Sequence, residues 1–158
     1  MAIAGQEIVN PATGERIVFR RTSRDTGGEL LELDDVWTRP GHRAPMHVHP
    51  GMEERWTVLA GTARFRIGDE EHTVTAGESI VAPPGVPHTG WNPTGEPVRL
   101  RVELRPALRW EWFTEELFAM FAEAVAGGRR EPESAALAAL VARYPDEIEP
   151  VSPFDAWG

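Results

Sequence analysis

The sequence predicts an all-β domain followed by two helices, and three observations predict it. Between about Glu7 and Arg105 apolar and polar residues alternate in short runs, the period-2 signature of strands with one buried face. Turn-forming Gly, Pro and Asp residues interrupt those runs at near-regular spacing. After Pro106 the apolar residues recur at helical spacing instead.

The clearest strand is Val98, Leu100, Val102 and Leu104 alternating with Arg99, Arg101, Glu103 and Arg105. Ala63, Phe65 and Ile67 alternate in the same way with Thr62, Arg64 and Arg66, and Arg16-Ile-Val-Phe is an earlier strand segment. Turns are expected at Gly61, Gly68-Asp69, Ala76-Gly77, Pro83-Pro84-Gly85 and Pro93-Thr94-Gly95. Many short strands at this spacing make a sandwich or a barrel.

In the second part Phe113, Leu117, Met120, Phe121, Ala124 and Val125 form one helix face, with Thr114 as its cap and Gly127-Gly128 as its end. A second helix is expected from Pro132, in the first helical position, to about Tyr144, with Ala135, Leu137, Ala138, Leu140 and Val141 as its apolar stripe. Both helices should pack on the outside or mouth of the barrel, anchored by Trp110 and Trp112. The tail from Pro145 to Gly158 should drape over them. The division is therefore residues 1–106 as barrel and 107–158 as helical extension, one structural domain overall.

A chain of 158 residues, 41% hydrophobic and 26% charged, has the size and apolar content of one globular domain. Sixteen basic against 25 acidic side chains give a formal charge of −9, which repels nucleic-acid phosphates and anionic lipid heads. Neither a nucleic-acid nor a membrane partner is expected, since the polar face of the first helix is rich in Glu and not in Lys. With no Cys in the chain, any metal must be held by nitrogen and oxygen. The first residues lack a positive n-region, and no segment approaches eighteen apolar residues, so a soluble, cytoplasmic protein is expected.

Two segments carry the chemistry. In the first, Gly41 is followed after five residues by His47, then by His49, after four more by Glu54 and after six more by Gly61. The second runs from Gly77 through Pro83 and Gly85 to His88 and then Asn92. On a strand, residues two apart share a face, so His47 and His49 point one way and Met46 and Val48 the other. Glu54 shares its face with Trp56 and Val58, whereas Arg55 and Thr57 face away. The rigid Pro83-Pro84-Gly85-Val86-Pro87 turn aims His88.

Both segments resemble the two signature motifs of the cupin superfamily, over roughly residues 30 to 105. The resemblance implies a double-stranded β-helix, the jelly-roll barrel, carrying two C-terminal α-helices. It also implies one divalent metal ion per chain, held by His47, His49, Glu54 and His88. Glu53 is the alternative carboxylate, but the gap to Gly61 and the parity of Trp56 favour Glu54. Three neutral imidazoles and one carboxylate leave a divalent ion net positive and, if octahedral, with two open positions. Fe, Mn, Ni, Co, Cu and Zn all suit such a set, and a bidentate oxygen anion suits the open positions. His42 and His72 read as ordinary surface or satisfied core residues, and Asn92 as a loop tie.

Trp37, Met52, Trp56, Phe65, Trp91 and Leu100 are the candidate substrate-lining residues, making an apolar, aromatic interior. No general base beyond the ligands stands out: Glu53, Arg101 and Glu103 would serve only if they faced inward. The resemblance further implies a homodimer, with Arg16-Ile-Val-Phe as the shared strand. The expected function is a metal-dependent enzyme acting on a small, largely apolar, enolisable or phenolic substrate with dioxygenase chemistry. A non-redox isomerase or polyketide cyclase, and a non-catalytic small-molecule or metal-binding protein, are the rivals.

Overall fold

A computed structural model describes residues 1–40 and 44–151 of the chain. Gly41 and His42 therefore lie outside the described residues, as does the tail beyond Val151. The strands are β1 (Glu7–Val9), β2 (Arg16–Arg21), β3 (Leu31–Trp37), β4 (His47–Val48), β5 (Glu53–Ala60), β6 (Thr62–Ile67), β7 (Glu70–Thr75), β8 (Ser79–Ala82), β9 (His88–Trp91), β10 (Val98–Arg105) and β11 (Glu149–Pro150). The helices are α1 (Ser23–Thr26), α2 (Trp110–Ala126) and α3 (Ser134–Ala142).

Two antiparallel sheets form a double-stranded β-helix. One has the order β1-β2-β3-β10-β5-β8, the other β11-β4-β9-β6-β7. Alternation decides the faces. Val98, Leu100, Val102 and Leu104 are buried in register with Trp37, Asp35, Leu33 and Leu31 of β3, and on the other side Glu54, Trp56 and Val58 of β5 join them. The outward residues carry charge, as where Asp34 is clamped between Arg20 at 2.6 Å and Arg101 at 2.7 Å. Gly90 leaves room for two aromatic rings, since a Cβ there would sit 2.8 Å from the Phe65 ring and 2.9 Å from that of Trp37.

Arg16–Phe19 is not a free strand. Its segment is paired on one edge by β1 and on the other by β3, so both rows of backbone groups are already satisfied within the chain.

The extension differs from expectation in three respects. Thr114 does not cap: α2 starts at Trp110, and Thr114 is inside it, its hydroxyl donating to the carbonyls of Trp110 and Glu111 at 3.1 and 3.0 Å. The earlier start follows from packing, because Trp110 stacks on Phe113 and its Nα–H closes a turn to the Ala107 carbonyl. Pro132 is not the first helical residue either, since α3 begins at Ser134. Finally, of the described tail only Ile148 packs on the helical core, and β11 adds instead to the second sheet beside β4, pairing Glu149 with Val48 and Pro150 with His47. The end of α2 is as expected, with Gly128 in the left-handed region at φ 80° and Arg129 N–H returning to the Ala124 carbonyl. Phe118 and Ala107 join the main barrel core, while Phe113, Leu140 and Tyr144 form a second small core between the helices. Among the described residues no helix is long and apolar enough to cross a membrane.

Candidate metal centre

Four side chains from three strands and one loop meet at one point inside the barrel. His47 opens β4, His49 follows it at the same parity, Glu54 is the second residue of β5 and His88 opens β9. The ligand atoms that His47, His49, Glu54 and His88 offer all lie within 4.8 Å of one another. His47 and His88 are direct cross-strand partners, and their rings stand 4.6 Å apart. Glu54 Oε2 is 2.8 Å from His49 Nε2 and 3.2 Å from His88 Nε2. Glu53 lies on the opposite face, paired with Arg105, so parity excludes it.

The imidazoles are oriented by backbone. The Nδ1 of His47 is 2.8 Å from the Pro45 carbonyl, that of His49 2.7 Å from the Glu147 carbonyl and that of His88 2.9 Å from the Val86 carbonyl. A carbonyl only accepts, so each Nδ1 carries the proton and each Nε2 faces the centre. This is the usual outer-shell arrangement of metal-binding histidines. Three converging imine nitrogens and one carboxylate oxygen, with no thiolate, fit a divalent ion of the Fe, Mn, Ni, Co, Cu or Zn group.

Electrostatics agree with that arrangement. Burial by itself raises the Glu54 carboxyl, but the charge and hydrogen bond of His49, assisted by His88, hold it well below the usual carboxylate range. His47 is pushed down to about 4, by burial first and then by the charges of His88 and His49. For His49 burial opposes protonation, yet the Glu54 charge and hydrogen bond raise it above an ordinary histidine. In the metal-free protein Nε2–H of His49 thus donates to Glu54. That contribution to stability is full below about 6.5 and is lost as pH rises through the raised folded value.

Two outcomes follow. Metal uptake at a pH below the raised His49 value releases roughly one proton per ion, the one on His49, and affinity falls as pH is lowered. Calorimetry in two buffers of different ionisation enthalpy reads this, and uptake with no proton release would show His49 already neutral. Separately, Glu54→Gln lowers metal affinity by roughly tenfold or more while Glu53→Gln leaves it within about twofold; the reverse order would move the ligand by one position.

Three features of the surroundings escape a reading of the sequence. The Trp110 ring stands edge-on to His49 at 4.7 Å, so this tryptophan anchors α2 at the metal centre itself. The Glu147 carbonyl that orients His49 lies 98 residues along the chain. The buried Glu147 carboxylate is in turn held by the backbone N–H and the Nε of Arg109, each at 3.1 Å. The third feature is a buried carboxyl, Asp35 on the interior face of β3, for which the even spacing of Leu31, Leu33 and Asp35 was the available signal.

The proposed lining residues divide. Trp56 reaches His88 at 5.5 Å and Phe65 at 4.8 Å, and Phe65 reaches Trp37 at 5.8 Å, forming one aromatic wall from the ligands across the interior. Met52 and Leu100 are fully buried in the same core. Trp91 is not on that wall. It lies three residues after His88 and pairs with Arg64, so it sits on the opposite face, with the Arg64 guanidinium 5.9 Å over its ring. Asn92 ties its loop, donating to the carbonyls of Trp37 and Glu96, and His72 is a 40% exposed surface residue. Surface clefts of about 530 Å³, around Arg39, Arg129 and Arg130, and about 510 Å³, around Arg21, Asp25 and Arg105, touch none of the four ligands.

Comparison with known proteins places this architecture. Residues 37–104 match the family model described as the cupin domain. Mannose-1-phosphate guanylyltransferase 2 of Escherichia coli O157:H7 is 36% identical over 73 residues, 46% of this chain and 15% of that protein. The match thus spans a small part of the curated relative. Among solved structures, an uncharacterised conserved protein with a double-stranded β-helix domain from Klebsiella pneumoniae superposes with a TM-score of 0.53 at 24% identity, covering 64% of this chain and 85% of that one. A sugar phosphate isomerase of the cupin superfamily from Silicibacter pomeroyi has a TM-score of 0.53 at 19% identity, covering 63% and 70%. The match takes in β4 to β10, and the double-stranded β-helix built around it has the fold of the cupin domain.

Proposed function

We propose that the protein is a metal-dependent enzyme whose substrate is a small, largely apolar compound that binds through two oxygens as an enolate or phenolate, and that dioxygen chemistry follows. The observation that carries this reading is the set of three backbone-oriented imidazoles and Glu54 at the foot of an aromatic wall. A divalent ion bound there supplies a Lewis acid and, if redox-active, a centre for dioxygen chemistry.

The chain's own residues define the rest. His47, His49, Glu54 and His88 contribute a single negative charge, which leaves an electrostatic preference for an anionic oxygen pair. Trp56, Phe65 and Trp37 offer ring faces to a flat conjugated skeleton and no hydrogen bond to sugar hydroxyls. Trp110 and the segment at Glu147 cover the His49 side and keep water from it. Oxygen-electrode measurements with phenols and 1,3-diketones test this, using protein reconstituted with each metal in turn. Metal-dependent oxygen uptake is the expected result.

The second reading is a non-redox isomerase or cyclase. It is favoured by the likeness in fold to a sugar phosphate isomerase from Silicibacter pomeroyi. Against a sugar stand the absence of Lys and the placement of the one Tyr, Tyr144, in the helical core. Turnover unchanged when dioxygen is removed would replace the first reading by this one. A protein that binds the probe compounds but turns over none of them would be a binding protein.

A further inference from the structure

Between the β1–β2 turn, the segment after β3 and the end of α2 lies the cleft of about 530 Å³, lined by Pro11, Ala12, Arg39, Val125, Arg129 and Arg130. No acid lines it. In a chain with 25 acidic against 16 basic side chains, three guanidinium groups around one hollow, with no carboxylate among them, are a local reversal of sign. The cleft around Arg21 and Arg105 shows the contrast. There Asp25 and Glu29 share the lining, and the two arginines are bound to Glu32 at 3.3 Å and to Glu103 at 3.0 Å. Its charges are met from within the chain.

Those of the first cleft are not. Arg129 reaches the largely exposed Glu133 at 3.1 Å, a weak pairing in water, whereas among the described residues neither Arg39 nor Arg130 makes an ion pair or a hydrogen bond. A cation after the end of α2 suits the helix dipole, but that accounts neither for Arg39, which comes from another segment, nor for the convergence of all three. The walls are also fixed without a ligand. Asn10 Oδ1 accepts from Ala12 N–H at 3.0 Å and holds the turn, and Thr38 Oγ1 donates to the Thr13 carbonyl at 3.3 Å, tying the segment after β3 to it. Arg129 N–H is held by the Ala124 carbonyl at 2.8 Å. Such a cleft binds without first having to be ordered.

Arginine stays charged at any working pH, and its planar fork of N–H donors matches phosphate oxygens in pairs. The formal charge of −9 on the whole chain repels a long polyanion or an anionic bilayer, so a short, densely charged anion suits the cleft best. We propose that this cleft binds the diphosphate group of a small soluble ligand, with Arg39 and Arg130 as its principal contacts and Arg129 beside them. Val125, 38% exposed, and the apolar Pro11 and Ala12 are left for the uncharged part of that ligand. None of the four metal ligands lines the cleft, so the inference stands apart from the proposed function.

Titration calorimetry of the full chain with inorganic pyrophosphate tests it, using Arg39→Gln, Arg130→Gln and, at the other cleft, Arg21→Gln. Saturable binding of about one pyrophosphate per chain is expected, weakened roughly tenfold or more in Arg39→Gln and in Arg130→Gln but within about twofold in Arg21→Gln, with unchanged circular dichroism. Absence of saturable binding overturns the site. So does equal affinity in the unsubstituted protein and both cleft variants, since the anion then binds elsewhere, as at the metal centre. Citrate bound as tightly as pyrophosphate overturns the assignment to phosphate. Sedimentation with vesicles of anionic phospholipid that pyrophosphate does not reverse overturns the assignment to a soluble ligand.

Discussion

His88→Ala and His49→Ala each lower metal occupancy by roughly tenfold or more, with the barrel still folded. Each change removes one of three imidazole donors. It also strips Glu54 Oε2 of a neighbour at 3.2 or 2.8 Å, so a buried carboxylate loses part of what keeps it ionised. The fold persists because the core of Phe19, Leu33, Phe65, Leu100 and their neighbours is built from apolar faces that make no demand on the ion. Elemental analysis of protein purified without chelator, beside circular dichroism, reads both halves. Normal metal content in either variant would refute the ligand set, and loss of the fold would show that the ion is a structural element.

Arg109→Ala lowers the melting temperature of the protein and, although Arg109 touches no ligand, lowers metal affinity by roughly tenfold. Arg109 holds the end of the chain at several points. Its Nε binds the Glu147 carboxylate, its NH2 the Arg143 carbonyl at 3.0 Å, and its guanidinium lies 4.7 Å from the centre of the Tyr144 ring. Truncation leaves the Glu147 carboxylate, only 2% exposed, with a backbone N–H as its remaining donor. The guanidinium itself is half exposed, which keeps the cost below that of a fully buried pair. Once residues 143–147 loosen, the carbonyl that fixes the proton on His49 Nδ1 is no longer held in place. Metal titration and thermal melts of Arg109→Ala beside Arg109→Lys distinguish this from general destabilisation. A melting shift with unchanged affinity would show that the C-terminal segment does not support His49.

The reach of the sequence can be followed residue by residue. His47, His49 and Glu54 were readable because strand parity is local, and His88 because the Pro83 to Pro87 turn that precedes it is chemically distinctive. The same parity argument applied to His88 puts Trp91 on the other face, which its aromatic character had obscured. Thr114 shows a different limit: its residue type suits a cap, but Trp110 is drawn into α2 by packing against Phe113 and His49, one turn earlier.

By itself the sequence determined the β-rich architecture, its turns and the two helices, because period-2 alternation and turn chemistry depend on near neighbours in the chain, and the four ligand positions came with the resemblance to the cupin motifs. Only the tertiary structure decided how that centre is enclosed and what stands opposite it. The His49 acceptor is a main-chain carbonyl 98 residues away, and carbonyls carry no residue identity for a sequence to display. Asp35 looks like a surface acid until β3 pairs with β2 and β10 and turns it inward. Long-range register, which brings such groups within hydrogen-bond reach, is the quantity that local patterning leaves open.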